Sequence, residues 1–153
     1  MEVISLTLSF NDPYLKREVI MDHYEHPRNK SLVDDPRYLS VNMNSESCID
    51  DFQIQILIEN GLIKDFRFDG VGCTISTASL SILSELVKDK SIKEAYILID
   101  NYEKMLQEAP FDENLLQEAV VFKDVSKQAN RIKCAMIGYQ GLKELLQGKE
   151  AET

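Results

Sequence analysis

The segment from Phe52 to Phe68 constrains the fold more than any other part of the chain. Phe52, Ile54, Ile56 and Ile58 alternate with Gln53, Gln55 and Leu57, and a period of two marks a strand with one buried face. Asn60-Gly61 follows, a dipeptide that readily supplies the two left-handed residues of a tight hairpin turn. Ile63 to Phe68 reads as the return strand, closed by Asp69-Gly70-Val71-Gly72. An isolated hairpin is marginal in water and needs a second layer for its apolar face.

Helices supply that layer. Asp12-Pro13 has the form of an N-cap followed by proline at the first helical position. Tyr14, Leu15, Val19 and Ile20 give that helix a partly apolar face, and Pro27 ends it. Residues 28–47 are polar and turn-rich, with one short strand expected near Tyr38 to Met43. After Cys73, the residues Ile75, Ala78, Ser79, Ile82, Leu83 and Leu86 follow the three-and-four spacing of a helix face. Ser91-Ile92-Lys93-Glu94 is a capping box that opens another helix, running to about Gln107. Pro110 breaks it, and residues 112–123 read as a short acidic helix. A last helix starts near Ser126 or Asn130, ends at Leu146, and buries Ile132, Met136, Tyr139 and Leu142. The fold class is therefore α+β, a small antiparallel sheet of about three strands packed against helices.

The 153 residues are expected to form a single domain, 1–153, with 1–11 and 147–153 as flexible ends. Seventeen basic against 26 acidic side chains give a net charge of −9, which argues against a nucleic-acid partner. The N-terminal residues lack the basic region and cleavage site of a secretory leader. No apolar run approaches the roughly 20 residues that span a bilayer. The expected compartment is the cytoplasm, where thiols stay reduced. Three cysteines there suit metal binding, nucleophilic chemistry or inert burial better than a disulfide framework.

Cys48-Ile49-Asp50 stands just before the hairpin, and on an extended chain the thiol and the carboxylate point the same way. Cys73 follows Gly70 and Gly72 at a helix N-terminus, where the dipole favours a thiolate. Cys134 lies in the first turns of the last helix between Lys133 and Ala135, with Arg131 close by. Three thiolates and a carboxylate suit a tetrahedral zinc ion. The spacing alone leaves open three unrelated buried thiols, since free cysteine is among the most buried residue types.

Four segments resemble the IscU/NifU-N family of iron–sulfur cluster assembly proteins. MDHYEHPRN at 21–29 resembles the family's opening-helix motif, and Cys48-Ile49-Asp50 its first cysteine motif, usually Cys-Gly-Asp or Cys-Gly-Ala. GVGCTISTAS at 70–79 is the most specific match, and RIKCAMIGYQGL at 131–142 resembles the third motif. The resemblance runs from about Tyr14 to Leu146. A long segment at 90–129 and Lys133, where the scaffold type has histidine, point to the SufU-type branch. Protonated lysine cannot coordinate, which leaves Asp50 as the fourth ligand. Ile49, Ser31 and His26 depart from the usual residues, and the proline common before the third cysteine is missing.

The resemblance implies zinc held by Cys48, Asp50, Cys73 and Cys134. It implies a cysteine desulfurase of the SufS type as partner, with iron–sulfur assembly proteins downstream. Cys48 would accept sulfane sulfur as a persulfide, a desulfurase histidine replacing it on the metal meanwhile. Arg131 is a candidate for orienting or charge-balancing the site, beside the alternative of a solvated helix residue. His23 and His26 fall on the opening helix, for packing or partner contact. The rival expectations are a scaffold that builds a [2Fe–2S] cluster on the same residues and a purely structural zinc module. No zinc-hydrolase motif is present.

Overall fold

The computed structural model describes residues 12–45 and 49–152, with side chains through Gly148. Cys48 and the expected flexible lead-in at 1–11 lie outside the described residues. Three antiparallel strands, β1 (Leu39–Asn44), β2 (Asp51–Glu59) and β3 (Leu62–Val71), form a sheet in the order β1-β2-β3. Asn60 and Gly61 make the hairpin turn, with φ of 55° and 76°. The return strand is longer than its sequence pattern predicts. It continues to Val71, and its last pairs set Gly70 against Phe52 and Val71 against Asp51.

The alternation has the expected consequence. Phe52, Ile54, Ile56, Phe66 and Phe68 are buried on one face. Gln53, Gln55, Asp65, Arg67 and Asp69 take the other. Residues 29–33 cross that outer side, where Val33 exchanges hydrogen bonds with the Gln55 amide in both directions at 2.9 Å.

The buried face receives α2 (Thr74–Leu86) and α5 (Ala129–Glu152), and α1 (Pro13–Glu25) packs on α2 from outside. Asp12 caps α1 as read from sequence, accepting from the Tyr14 backbone at 2.9 Å. The expected amphipathic face of α2 is an understatement. Every residue from Ser76 to Ser84 is buried, because the sheet, α1, α5 and the inserted segment cover all sides of this helix.

The insertion holds α3 (Ile92–Leu106), opened by the expected Ser91/Glu94 capping box, and a single α-turn, α4 (Glu113–Leu116). A 3-10 helix over Gln117–Lys127 replaces most of the short α-helix expected at 112–123. Three of its four buried residues, Ala119, Phe122 and Val125, recur every third position, with Val121 beside them, in keeping with the period of a 3-10 helix. The last helix also differs, running through Glu152 instead of stopping at Leu146. Among the described residues, no helix is long and apolar enough to cross a membrane.

Candidate metal centre

Three chain segments meet at the open end of the β2–β3 hairpin. Asp50 is the last residue before β2 and is 1% exposed. Its backbone carbonyl accepts from Ser45 N–H at 3.1 Å, which pins together the two ends of the loop joining β1 and β2. Cys73 is the N-cap of α2, its sulfur standing where an oxygen usually caps. Cys134 lies in the second turn of α5 and is 2% exposed. Next to it, the Ala135 carbonyl accepts from Ser79 Oγ at 2.7 Å and Tyr102 Oη at 2.9 Å, tying this turn of α5 to α2 and α3. One ligand-type atom each from Asp50, Cys73 and Cys134 lies within 4.8 Å of the others, and neither cysteine is in a disulfide among the described residues.

The approach of β3 to Cys73 needs glycine. Gly70 has φ of 141°, and a Cβ there would lie 2.1 Å from the Asp51 carbonyl oxygen. That clash would part the hairpin at the point where Asp50 enters.

Hydrogen bonds organise the cluster unevenly. Asp50 Oδ1 accepts from the Cys73 backbone N–H at 3.0 Å and from Ser76 Oγ–H at 2.8 Å. Asp50 Oδ2 is buried without a partner among the described residues. An unpartnered buried acceptor is costly, and with the two sulfurs this oxygen makes a group of donors that could hold a cation. Burial pushes the Cys73 thiol up. The Ser76 hydroxyl and backbone N–H pull it down, the Asp50 charge raises it, and Cys134 lowers it; the net position is below the ordinary value. Two thiols and one free carboxylate oxygen are a donor set suited to zinc. Two apolar side chains next to these segments are exposed, Ile49 at 69% and Val71 at 63%.

A family model described as NifU-like N terminal domain matches residues 15–144. The chain belongs to this IscU/SufU family. Among the family's curated members, the zinc-dependent sulfurtransferase SufU of Bacillus subtilis is 33% identical over 91% of this chain and 94% of its own. The iron-sulfur cluster assembly scaffold protein IscU of Thermotoga maritima is 32% identical over 84% of this chain and 90% of its own. A crystal structure from Fervidobacterium islandicum, described as a SUF-system iron-sulfur cluster assembly scaffold, superposes with a TM-score of 0.80 at 29% identity. It covers 84% of this chain and 94% of that one. The α+β fold expected from the sequence is thus the family's fold.

The structure brings together three of the four expected ligands of this family member, and the fourth, Cys48, lies outside the described residues. Arg131 is exposed, and its side chain makes no hydrogen bond or ion pair among the described residues; Lys133 is exposed too. The histidines take no part in the cluster. His23 is 1% exposed, between Ser81 Oγ at 2.7 Å and Glu118 Oε1 at 3.2 Å. Ser81 Oγ also accepts the Arg28 backbone N–H at 2.8 Å. In the neutral imidazole, the serine proton then goes to Nδ1 and Nε2–H donates to Glu118. His26 is the exposed C-cap of α1. Sequence reasoning missed Ser76. The available signal was its position three residues after Cys73, where a capped helix turns its N–H and side chain back toward the cap.

Proposed function

We infer that this protein is a zinc-dependent sulfur acceptor in iron–sulfur cluster biogenesis, working in the cytoplasm. It would take sulfane sulfur from a cysteine desulfurase on Cys48 and pass it to downstream assembly proteins. The observation that carries the reading is the convergence of Asp50, Cys73 and Cys134 with a buried, unpartnered Asp50 Oδ2. The likeness to a zinc-dependent sulfurtransferase over nearly the full chain supports it.

Cys48 is two residues before Asp50, and two residues of chain span at most about 7 Å. That short tether makes Cys48 the candidate fourth ligand. Bound zinc would hold these thiols as thiolates at neutral pH. Asp50, Cys73 and Cys134 are placed by β2, α2 and α5, and the family resemblance makes Cys48 the ligand that a desulfurase histidine would replace. Its thiolate attacks the terminal sulfur of the desulfurase persulfide. A bond forms between Cys48 Sγ and that sulfur, the enzyme's S–S bond breaks, and the enzyme cysteine departs as thiolate. Exposed Ile49 and Val71 give the partner an apolar landing around the thiols. Arg131, at the start of α5, is available to balance charge as the complex forms.

The rival reading is a scaffold carrying a [2Fe–2S] cluster on the same residues, and the IscU-named relatives favour it. Metal analysis of the isolated protein, coupled to desulfurase turnover with and without it, separates the two. Expected are one zinc per chain, no visible chromophore, and a stimulation of turnover that Cys48→Ala abolishes. A stable brown chromophore would give the scaffold reading precedence. Full stimulation by Cys48→Ala would remove the transfer role.

A further inference from the structure

We propose that Ser76 is a positioning residue that commits Asp50 to one-oxygen metal binding, and thereby sets the affinity and the coordination number of the centre. The proposal rests on the metal-site reading above and assigns a role to a residue outside the ligand set.

Ser76 is fully buried at the third position of α2. Its hydroxyl has one proton and three neighbours. Asp50 Oδ1 lies at 2.8 Å, the Cys73 carbonyl at 3.1 Å and Cys73 Sγ at 3.5 Å. The carboxylate oxygen is both closer and charged, so the proton goes there. With the Cys73 N–H also on Oδ1, one oxygen of Asp50 is doubly held and the other is left bare. Turning the carboxylate so that both oxygens face a cation would break two hydrogen bonds in a buried site.

The surroundings are built to the hydroxyl. A Cβ at Gly72 would lie 2.6 Å from Ser76 Oγ and 2.4 Å from the Phe52 ring. Any larger residue at 72 would evict the hydroxyl from its place. The Ser76 backbone N–H meanwhile reaches Cys73 Sγ at 3.5 Å. One residue thus fixes a carboxylate that precedes β2 and a thiol that caps α2. A bare single oxygen beside thiolates suits four-coordinate zinc, whereas a two-oxygen carboxylate suits larger, oxygen-preferring cations.

The test uses the full chain, with zinc affinity measured against a chromophoric chelator and cobalt(II) as a spectroscopic stand-in. Four-coordinate cobalt gives an intense visible band, and a fifth donor weakens it. Ser76→Ala is expected to lose about 10–100-fold in zinc affinity, the usual scale for a group that orients a ligand, and to show a weaker cobalt band. Ser76→Thr keeps the hydroxyl and restores both. Ser84→Ala removes another buried hydroxyl of α2, one that bonds to the Ser81 carbonyl at 2.6 Å, and leaves both readings unchanged. Thermal melts of the metal-free variants identify any that fail to fold.

Native affinity and a native cobalt band in folded Ser76→Ala would overturn the proposal, as would an equal loss in Ser84→Ala. If the native chain takes up neither ion, the metal-site reading falls and this proposal with it. If the native chain binds zinc but Cys48→Ala still stimulates the desulfurase, only the sulfur-transfer reading falls. The affinity and the cobalt band then decide Ser76 on their own.

Discussion

Among the described residues, two buried side-chain oxygens have no hydrogen-bond partner, Asp50 Oδ2 and Tyr139 Oη. They sit in regions of opposite character. Asp50 belongs to the thiol cluster at the hairpin's open end, beside the exposed Ile49 and Val71. Tyr139 lies in the core, stacked on Tyr102 at 3.7 Å between ring centroids and 7° between planes. Phe122 meets the edge of Tyr102 at 6.5 Å. Around the phenol the rings are closely packed, and the described residues form no cluster of three metal-ligating side chains there. Around the carboxylate, two sulfurs converge. The same deficit thus reads as a tolerated loss in one place and as part of a candidate metal-donor set in the other. What differs is the chemistry of the neighbours.

The largest effects should separate the regions outright. Cys73→Ser or Cys134→Ser removes a thiolate and is expected to abolish stoichiometric zinc, read by elemental analysis, while Tyr139→Phe leaves it untouched. Stoichiometric zinc in both cysteine variants would erase the distinction. Next in size is Asp50→Asn. Metal affinity should fall by about two orders of magnitude or more, the loss of a direct ligand exceeding that of an orienting group. The metal-free protein should gain about 1 kcal/mol in denaturant melts, because the amide can donate to a sulfur where the carboxylate oxygen had no partner. A loss of metal-free stability instead would mean that the carboxylate serves the fold.

The tyrosine pair should behave in the reverse sense. Tyr102 Oη donates to the Ala135 carbonyl at 2.9 Å, so Tyr102→Phe should cost about 1 kcal/mol. Tyr139→Phe removes an unpartnered hydroxyl and should be neutral or stabilising by up to about 1 kcal/mol. A clear destabilisation by Tyr139→Phe would sink the pairing of the two oxygens.

The smallest effect is on pH dependence. Burial raises the pKa of Tyr102, with the Ser79 hydrogen bond opposing it, and burial raises that of Tyr139, with Tyr102 adding to it. The folded state holds these phenol protons more tightly than the unfolded chain does. Their contribution is therefore intact below about pH 10, the unfolded value, and is lost as pH rises toward the folded values. Tyrosinate absorbance for this pair should appear together with loss of the fold, and gradual titration of all tyrosines in a folded protein would contradict it.

Much of this was legible in the sequence. The Ile54/Ile56 alternation and Asn60-Gly61 specify the hairpin, and Asp12-Pro13 and Ser91/Glu94 mark two helix starts, because these signals are local. The 3-10 helix was not read, since the three-residue recurrence of Ala119, Phe122 and Val125 is easily taken for a short α-helix. The burial of α2 on all sides from Ser76 to Ser84 is hidden by its serines, which look polar but bond inside the protein. Ser79 reaches Ala135 and Ser84 reaches the Ser81 carbonyl. The cluster was legible as a list of residues through the family resemblance. Its second layer was not, because Ser76 meets Asp50 across 26 residues of sequence and no periodicity encodes that meeting.

The hairpin gives the molecule a polarity with practical use. Its tip, Asn60-Gly61, is exposed, and a Cβ at Gly61 would touch nothing within 4 Å. Nine residues of β2 separate this tip from Asp50, about 30 Å of extended chain at 3.4 Å per residue. A dye or an affinity handle on the exposed Glu59 beside the tip, with the left-handed Asn60 and Gly61 kept, would report on a bound partner from a distance, without crowding the sulfur chemistry.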